Sequence, residues 1–101
     1  TDALCAKVSA AFAQLGDPTR LKVLWILCHS EQCVRGLGDL VGMSSPAVAH
    51  HLKQLKSAGL IVSRRVGREM LYRLGDTEEC GQLHKAMDAL FHVNCFTFAH
   101  T

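Results

Sequence analysis

At 101 residues the chain has the length of one domain, enough for a single core with a high ratio of surface to volume. Apolar residues make up 49% of it and charged residues 20%, the composition of a soluble globular protein, which argues against a membrane protein. No apolar run nears the roughly 20 residues of a membrane span, and the formal net charge of +2 is small but unevenly spread.

Residues 3–15 place Leu4, Val8, Ala11, Phe12 and Leu15 on one side of an amphipathic helix, which Gly16 stops. Asp17 and Pro18 then supply the N-cap and first-turn proline of a second helix. Leu21, Leu24, Trp25, Leu27 and Cys28 of that helix are expected mostly inside, with Trp25 as a core anchor. The polar stretch His29 to Gln32 reads as a connector. Val34, Leu37, Leu40 and Val41 form a shorter helical stripe that ends at Gly42, a residue suited to the left-handed turn after a helix.

The next helix is expected to begin with Ser45 as N-cap and Pro46 in the first helical position. Val48, Leu52 and Leu55 recur at helical spacing on one face, and the opposite face carries His50, Lys53, Gln54 and Ser57. Two helices joined by a short glycine-containing turn, the second with a polar outer face, read as a helix-turn-helix over residues 33–57. After Gly59 the pattern turns strand-like. Leu60 to Arg65 and Arg68 to Leu74 make a β-hairpin across a Val66-Gly67 turn, with Arg64, Arg65 and Arg68 near its tip. Beside a reading helix such a hairpin would lie as a wing over residues 60–74, its arginines able to reach phosphates or a minor groove. Asp76 and Glu79 form a D-x-x-E box that would cap a last helix with an apolar stripe of Cys80, Leu83, Met87, Leu90 and Phe91. Residues 96–98 are apolar but few. A small domain with apolar helices at both ends, residues 1–15 and 77–94, invites dimerisation.

Residues 1–45 carry four basic and four acidic groups, residues 46–73 six and one, residues 74–101 one and four, or 0, +5 and −3. Positive charge thus collects on the candidate reading helix and hairpin, as a duplex-binding face requires. The five cysteines are odd in number and irregular in spacing, and without a C-x-x-C pair they suggest neither a zinc ribbon nor a thioredoxin-type site. No signal peptide is visible, so reduced thiols and a cytoplasmic location are expected.

In this order of elements the chain resembles the ArsR/SmtB family of winged-helix, metal- or thiol-responsive transcriptional repressors. The resemblance is carried by Leu15-Gly16-Asp17-Pro18-Thr19-Arg20-Leu21, Glu31-Gln32-Cys33-Val34, the run from Ser44 to Leu52, Ala58-Gly59-Leu60-Ile61, and Arg64-Arg65-Val66-Gly67-Arg68, across about residues 12–76. It implies a mainly α fold with a β-hairpin wing, a winged helix-turn-helix of order α-α-α-α-β-β-α in a single domain, residues 1–101. It also implies a homodimer joined by its first and last helices, reading double-stranded DNA as an inverted repeat with half-sites roughly 34–36 Å apart or a multiple. Ser44, Ser45, Ala47, His50, Lys53 and Gln54 would face the duplex, Gln54 pairing with adenine and Lys53 with guanine or phosphate. Arg64, Arg65 and Arg68 would add salt-dependent affinity for the backbone. His51, beside the apolar stripe, is expected to pack or bond to backbone, and Arg20 and Lys22 to be solvated rather than on phosphate.

The resemblance further implies repression relieved by an inducer, most simply a metal ion, and each of the family's two main sensor patterns is matched in part. Of the C-V-C thiolate pattern Cys33 is present, but Arg35 stands at the second position, so a thiophilic ion would need another sulfur, such as that of Cys5. Of the D-x-H and H-x-x-H or H-x-x-E pattern spanning the dimer, Asp76, Glu78 and His92 remain while Ala89 takes a ligand position; His84 or Asp88, one helical face with His92, would complete a set suited to zinc, cobalt or nickel. Cys28 and Cys95 resemble the paired cysteines of the persulfide-sensing branch, leaving a thiol-based redox repressor as the alternative. A protein–protein module without DNA binding is the alternative of a different class, and the six basic residues between Pro46 and Arg73 speak against it. An enzyme is not expected, since no Gly-rich phosphate loop, nucleophile elbow or paired catalytic carboxylates are present.

Overall fold

The structure is a computed structural model that describes the backbone of residues 1–99 and the side chains of residues 1–94. Its elements are α1 (Asp2–Gln14), α2 (Pro18–His29), α3 (Val34–Val41), α4 (Ser45–Ser57), β1 (Ile61–Val66), β2 (Glu69–Leu74) and α5 (Glu78–Ala99). This is the expected winged helix-turn-helix order, and no helix among the described residues is long and apolar enough to cross a membrane.

The core is one cluster in which α2 contributes Val23, Leu24 and Leu27, α3 Leu37, and α4 Val48, Leu52 and Leu55. Leu60 and Ile61 close it from the wing side, and Leu83 and Met87 of α5 from the other. Trp25 sits at the margin of this cluster instead of anchoring its centre. Its indole N–H needs an acceptor and donates to Asp88 Oδ1 at 3.3 Å, while its ring lies 5.0 Å from that of Phe91. Leu40 does not join the stripe of its helix and is 52% exposed. The inner position goes to Gly38, because α3 passes so close to the following turn that a Cβ there would lie 2.8 Å from the Met43 carbonyl oxygen. That turn is left-handed at Gly42 (φ 70°), as expected.

Asp17 caps α2 as expected, its carboxylate accepting the N–H groups of Thr19 (2.8 Å) and Arg20 (3.1 Å). Two other caps lie one residue from their expected places. Ser44, not Ser45, is the N-cap of α4, accepting the Ala47 N–H at 3.4 Å, because Ser45 is already helical. Thr77, not Asp76, caps α5 by accepting the Cys80 N–H at 3.2 Å, because Arg73 holds Asp76 in a two-pronged ion pair (2.7 and 3.0 Å).

The hairpin pairs Ile61 with Leu74 through to Val66 with Glu69. That register leaves Gly67 and Arg68 as the two-residue turn, one position beyond the expected Val66-Gly67. The stretch before α3 is more than a connector. Gln32 exchanges two backbone hydrogen bonds with Tyr72 (3.0 and 2.8 Å), so it lies against the free edge of β2 like a one-residue third strand. At the other extreme, α1 buries only Ala11, and its apolar stripe of Leu4, Val8 and Phe12 is exposed.

Candidate DNA interface and sensor site

Helix α4 is held by its inner face and presents its outer one. Val48, Leu52 and Leu55 are buried; Ser45, His50, Lys53 and Ser57 are exposed, and Ala47 and Gln54 half-exposed. At about 1.5 Å per residue the helix is a rod of roughly 20 Å, a length and width that a major groove accepts. Ser44 stands exposed at its leading end, its hydroxyl oxygen accepting the cap hydrogen bond. His51 is turned inward, 7% exposed, and its Nδ1 accepts from the Arg20 Nε–H at 3.3 Å. Its partner is therefore a side chain, not the backbone. Arg20 also donates to Gln14 Oε1 at 2.9 Å, so it is committed to joining the end of α1 to α4 instead of being simply solvated.

At the end of α4, Lys56 Nζ donates to Ser63 Oγ at 2.7 Å and ties the helix to β1. Successive residues of a strand face opposite ways, and here that separates two arginines. Arg64 turns to Glu31 in a bidentate pair (2.8 and 2.7 Å), and the Arg64 guanidinium holds the Glu31 carboxyl below its usual range. Arg65, and Arg68 in the turn, are exposed and pair with no side chain among the described residues. The unpaired positive charge of the wing thus lies on Arg65 and Arg68.

The expected sensor residues scatter. Cys33 caps α3, its sulfur accepting the Gly36 N–H at 3.3 Å. Asp76 belongs to Arg73, whose guanidinium holds its carboxyl below the ordinary value. Glu78 is exposed in the first turn of α5, and His92 is exposed 14 residues further on, about 21 Å along the helix axis, so these two can meet only through a second copy of the chain. Cys28 is half-buried, and burial, then the charge of Asp88, push its thiol up to about 11. A thiol so rarely ionised is a poor nucleophile, which weakens the redox alternative. The side chain of Cys95 lies outside the described residues.

His84 and Asp88 do converge, and they are joined by His29, which belongs to α2 and not to the connector expected over His29 to Gln32. His29, the last residue of α2, places Nε2 3.2 Å from Asp88 Oδ1, and His84 Nε2 lies 3.0 Å from Asp88 Oδ2. The His84 nitrogen is buried but too far off line to hydrogen-bond that oxygen, and no other partner reaches it among the described residues. One ligand atom from each of the three residues lies within 4.8 Å of the others, and no other His, Cys, Asp or Glu trio converges as closely among the described residues. Two imidazoles, one of them with its buried nitrogen orphaned, and a carboxylate fit a divalent metal of zinc type. Nothing local in the sequence marks His29, because the side chains that give it a role lie on a helix far along the chain, Asp88 being 59 residues on.

A family model described as bacterial regulatory protein, arsR family, matches residues 17–63. The chain is 40% identical over 92 residues to the HTH-type transcriptional regulator KmtR of Mycobacterium tuberculosis, covering 91% of this chain and 68% of that one. It is likewise 40% identical over 79 residues to the HTH-type transcriptional repressor SmtB of Mycobacterium tuberculosis, covering 78% and 56%. The chain therefore spans from just over half to two thirds of the length of these two relatives. Among solved structures, the homodimeric winged helix-turn-helix DNA-binding domain Mb0332 of Mycobacterium bovis, a possible ArsR-family transcriptional regulator, matches with a TM-score of 0.78 at 27% identity, covering 90% of this chain and 83% of that one.

Proposed function

Because the chain belongs to the arsR family of bacterial regulatory proteins, and so is a DNA-binding transcriptional regulator and not an enzyme, we propose that it acts as a homodimeric repressor that a metal ion releases from its operator. The observation that carries this reading is the disposition of α4, with its apolar side sunk in the core and its polar side open beside Arg65 and Arg68. Ser44, Ser45, Ala47, His50, Lys53 and Gln54 would meet base edges and nearby phosphates, and the wing arginines would grip the backbone. Dimerisation would draw on the apolar residues that the single chain leaves exposed, Leu4, Val8 and Phe12 of α1 with Leu90 of α5. Two copies of α4 related by a two-fold axis would read an inverted repeat. The place of action is the cytoplasm, where the operator is.

Metal control is supported by the His29, His84 and Asp88 cluster, which has no part in the reading face. Release is then a matter of linkage. An ion that binds one dimer geometry better lowers operator affinity by its differential binding, typically about 1–3 kcal/mol. The test is fluorescence anisotropy on a labelled duplex selected from a random pool, with salt and then Zn2+ or Co2+ titrated in. Affinity should fall steeply with salt, as phosphate contacts demand, and fall again with metal. Salt-independent binding would overturn the DNA reading, and indifference to every divalent ion the metal reading.

A further inference from the structure

We propose that His29, His84 and Asp88 form a site for a borderline divalent cation, Zn2+, Co2+ or Ni2+, built within one protomer and strapping the end of α2 to the middle of α5. Two imidazole nitrogens and a carboxylate are the donor set such ions prefer over purely oxygen sites. The three donors already stand within 4.8 Å of one another, so side-chain adjustments suffice to close them on a shared ion. The buried His84 Nε2 has no hydrogen-bond partner among the described residues, an arrangement that costs stability unless something else occupies that lone pair.

The surroundings are those of a prepared site. Trp25 donates its indole N–H to Asp88 Oδ1 at 3.3 Å and so helps orient the carboxylate, the role outer partners play around metal ligands. The His29 ring is wedged edge-on between the Trp25 ring (4.9 Å) and the His84 ring (4.8 Å), which limits its rotation. Unlike the set of Asp76, Glu78 and His92, this one needs no second copy, so it should fill at one ion per chain whatever the oligomeric state. Its regulatory meaning rests on the metal-released repressor proposed above. Helix α2 packs on the reading helix and α5 carries exposed apolar residues at its far end, so a strap between them links the two.

The test is Co2+ titration of the purified chain, read by visible ligand-field absorption and by the fluorescence of Trp25, the only tryptophan. We expect saturation at one Co2+ per chain with quenching of Trp25, and an affinity loss of at least about a hundredfold in His29→Gln and again in Asp88→Asn, since even outer-shell changes cost about 10–100-fold. Trp25→Phe, followed by absorption, should weaken binding about tenfold. His92→Ala should bind as the parent does. Co2+ binding that survives both His29→Gln and Asp88→Asn but is lost in His92→Ala would overturn this site while leaving a metal-released repressor intact. Binding that needs His29 and Asp88, without any effect on operator affinity, would uphold the site and overturn that reading instead.

Discussion

Arg64 and Arg65 are neighbours in the chain with opposite surroundings. Sequence alone gives both the same standing, because a Glu31 waiting 33 residues away leaves no local trace. The fold neutralises one and leaves the other for a polyanion. Arg65→Ala should therefore lower the log–log salt slope of operator binding by about 0.9, the share of one phosphate contact. Arg64→Ala should lower it by less, and Glu31→Gln should steepen it by freeing Arg64. Salt titrations of the three variants decide this. Cys28 makes a parallel case. With its thiol pushed up to about 11, almost none is thiolate at neutral pH, so alkylation by iodoacetamide should reach the exposed Cys5 well before Cys28. Peptide mapping after brief labelling at pH 7.5 would show the order. The residues on the outer face of α4 were legible because helical periodicity alone fixes which side turns outward. His29 was not, because its meaning comes from a helix 55 residues further on.

At the level of elements, helix-turn-helix and hairpin could be read from glycine and proline punctuation and from a change of period. What escaped were shifts of a single residue, such as the cap of α5, where Arg73 takes Asp76, three residues on, and leaves the cap to Thr77. Helix α3 and its turn meet at Gly38, where the missing Cβ is what permits the approach. Gly38→Ala would set a methyl group 2.8 Å from the Met43 carbonyl oxygen, and the backbone must move to relieve it. A loss of about 1–3 kcal/mol is expected, read as a lower urea midpoint at unchanged slope. Leu52→Ala, in the fully packed root of α4, should cost more, about 2–5 kcal/mol.

As a whole the molecule is a slab, 41 × 40 × 21 Å, with a radius of gyration of 14.3 Å. A compact chain of this length would have a radius of about 13 Å. Helix α1 buries only Ala11 in the chain's own core, and its Leu4, Val8 and Phe12 stand exposed to solvent. If a second copy covers them, Phe12→Glu should turn the dimer into a monomer in sedimentation and abolish operator binding while leaving the far-ultraviolet spectrum nearly unchanged. Sequence made the amphipathic stripe legible but not its partner, since a stripe fits an intramolecular core equally well. The pH dependence of folding also belongs to this scale. Hydrogen bonds from the Arg20 N–H, the Arg64 guanidinium and the Arg73 guanidinium hold Asp17, Glu31 and Asp76 below their ordinary values of 3.8, 4.5 and 3.8. Carboxyls with depressed folded values stabilise the fold above those ordinary values, and the contribution disappears as pH falls through the lower folded ones. The share of these three carboxyls in a chemical-denaturation midpoint should thus be constant above about pH 5 and decline below about 4, gently, because these pairs are solvent-screened, and it should vanish from the acid limb in the triple variant Asp17→Asn, Glu31→Gln, Asp76→Asn.

Gln32 and Tyr72 clasp each other's backbones three residues beyond His29, and this lends the wing a rein. A tug on the tail of α2 is passed straight to β2 without crossing the hydrophobic interior. The wing's bearing on a duplex would then answer to whatever grips that tail. Gln32→Pro, which deletes the amide given to the Tyr72 carbonyl, should cut the rein: the hairpin would still close on its own ladder, but deuterium would enter the Tyr72 amide faster and operator affinity would no longer follow the ion.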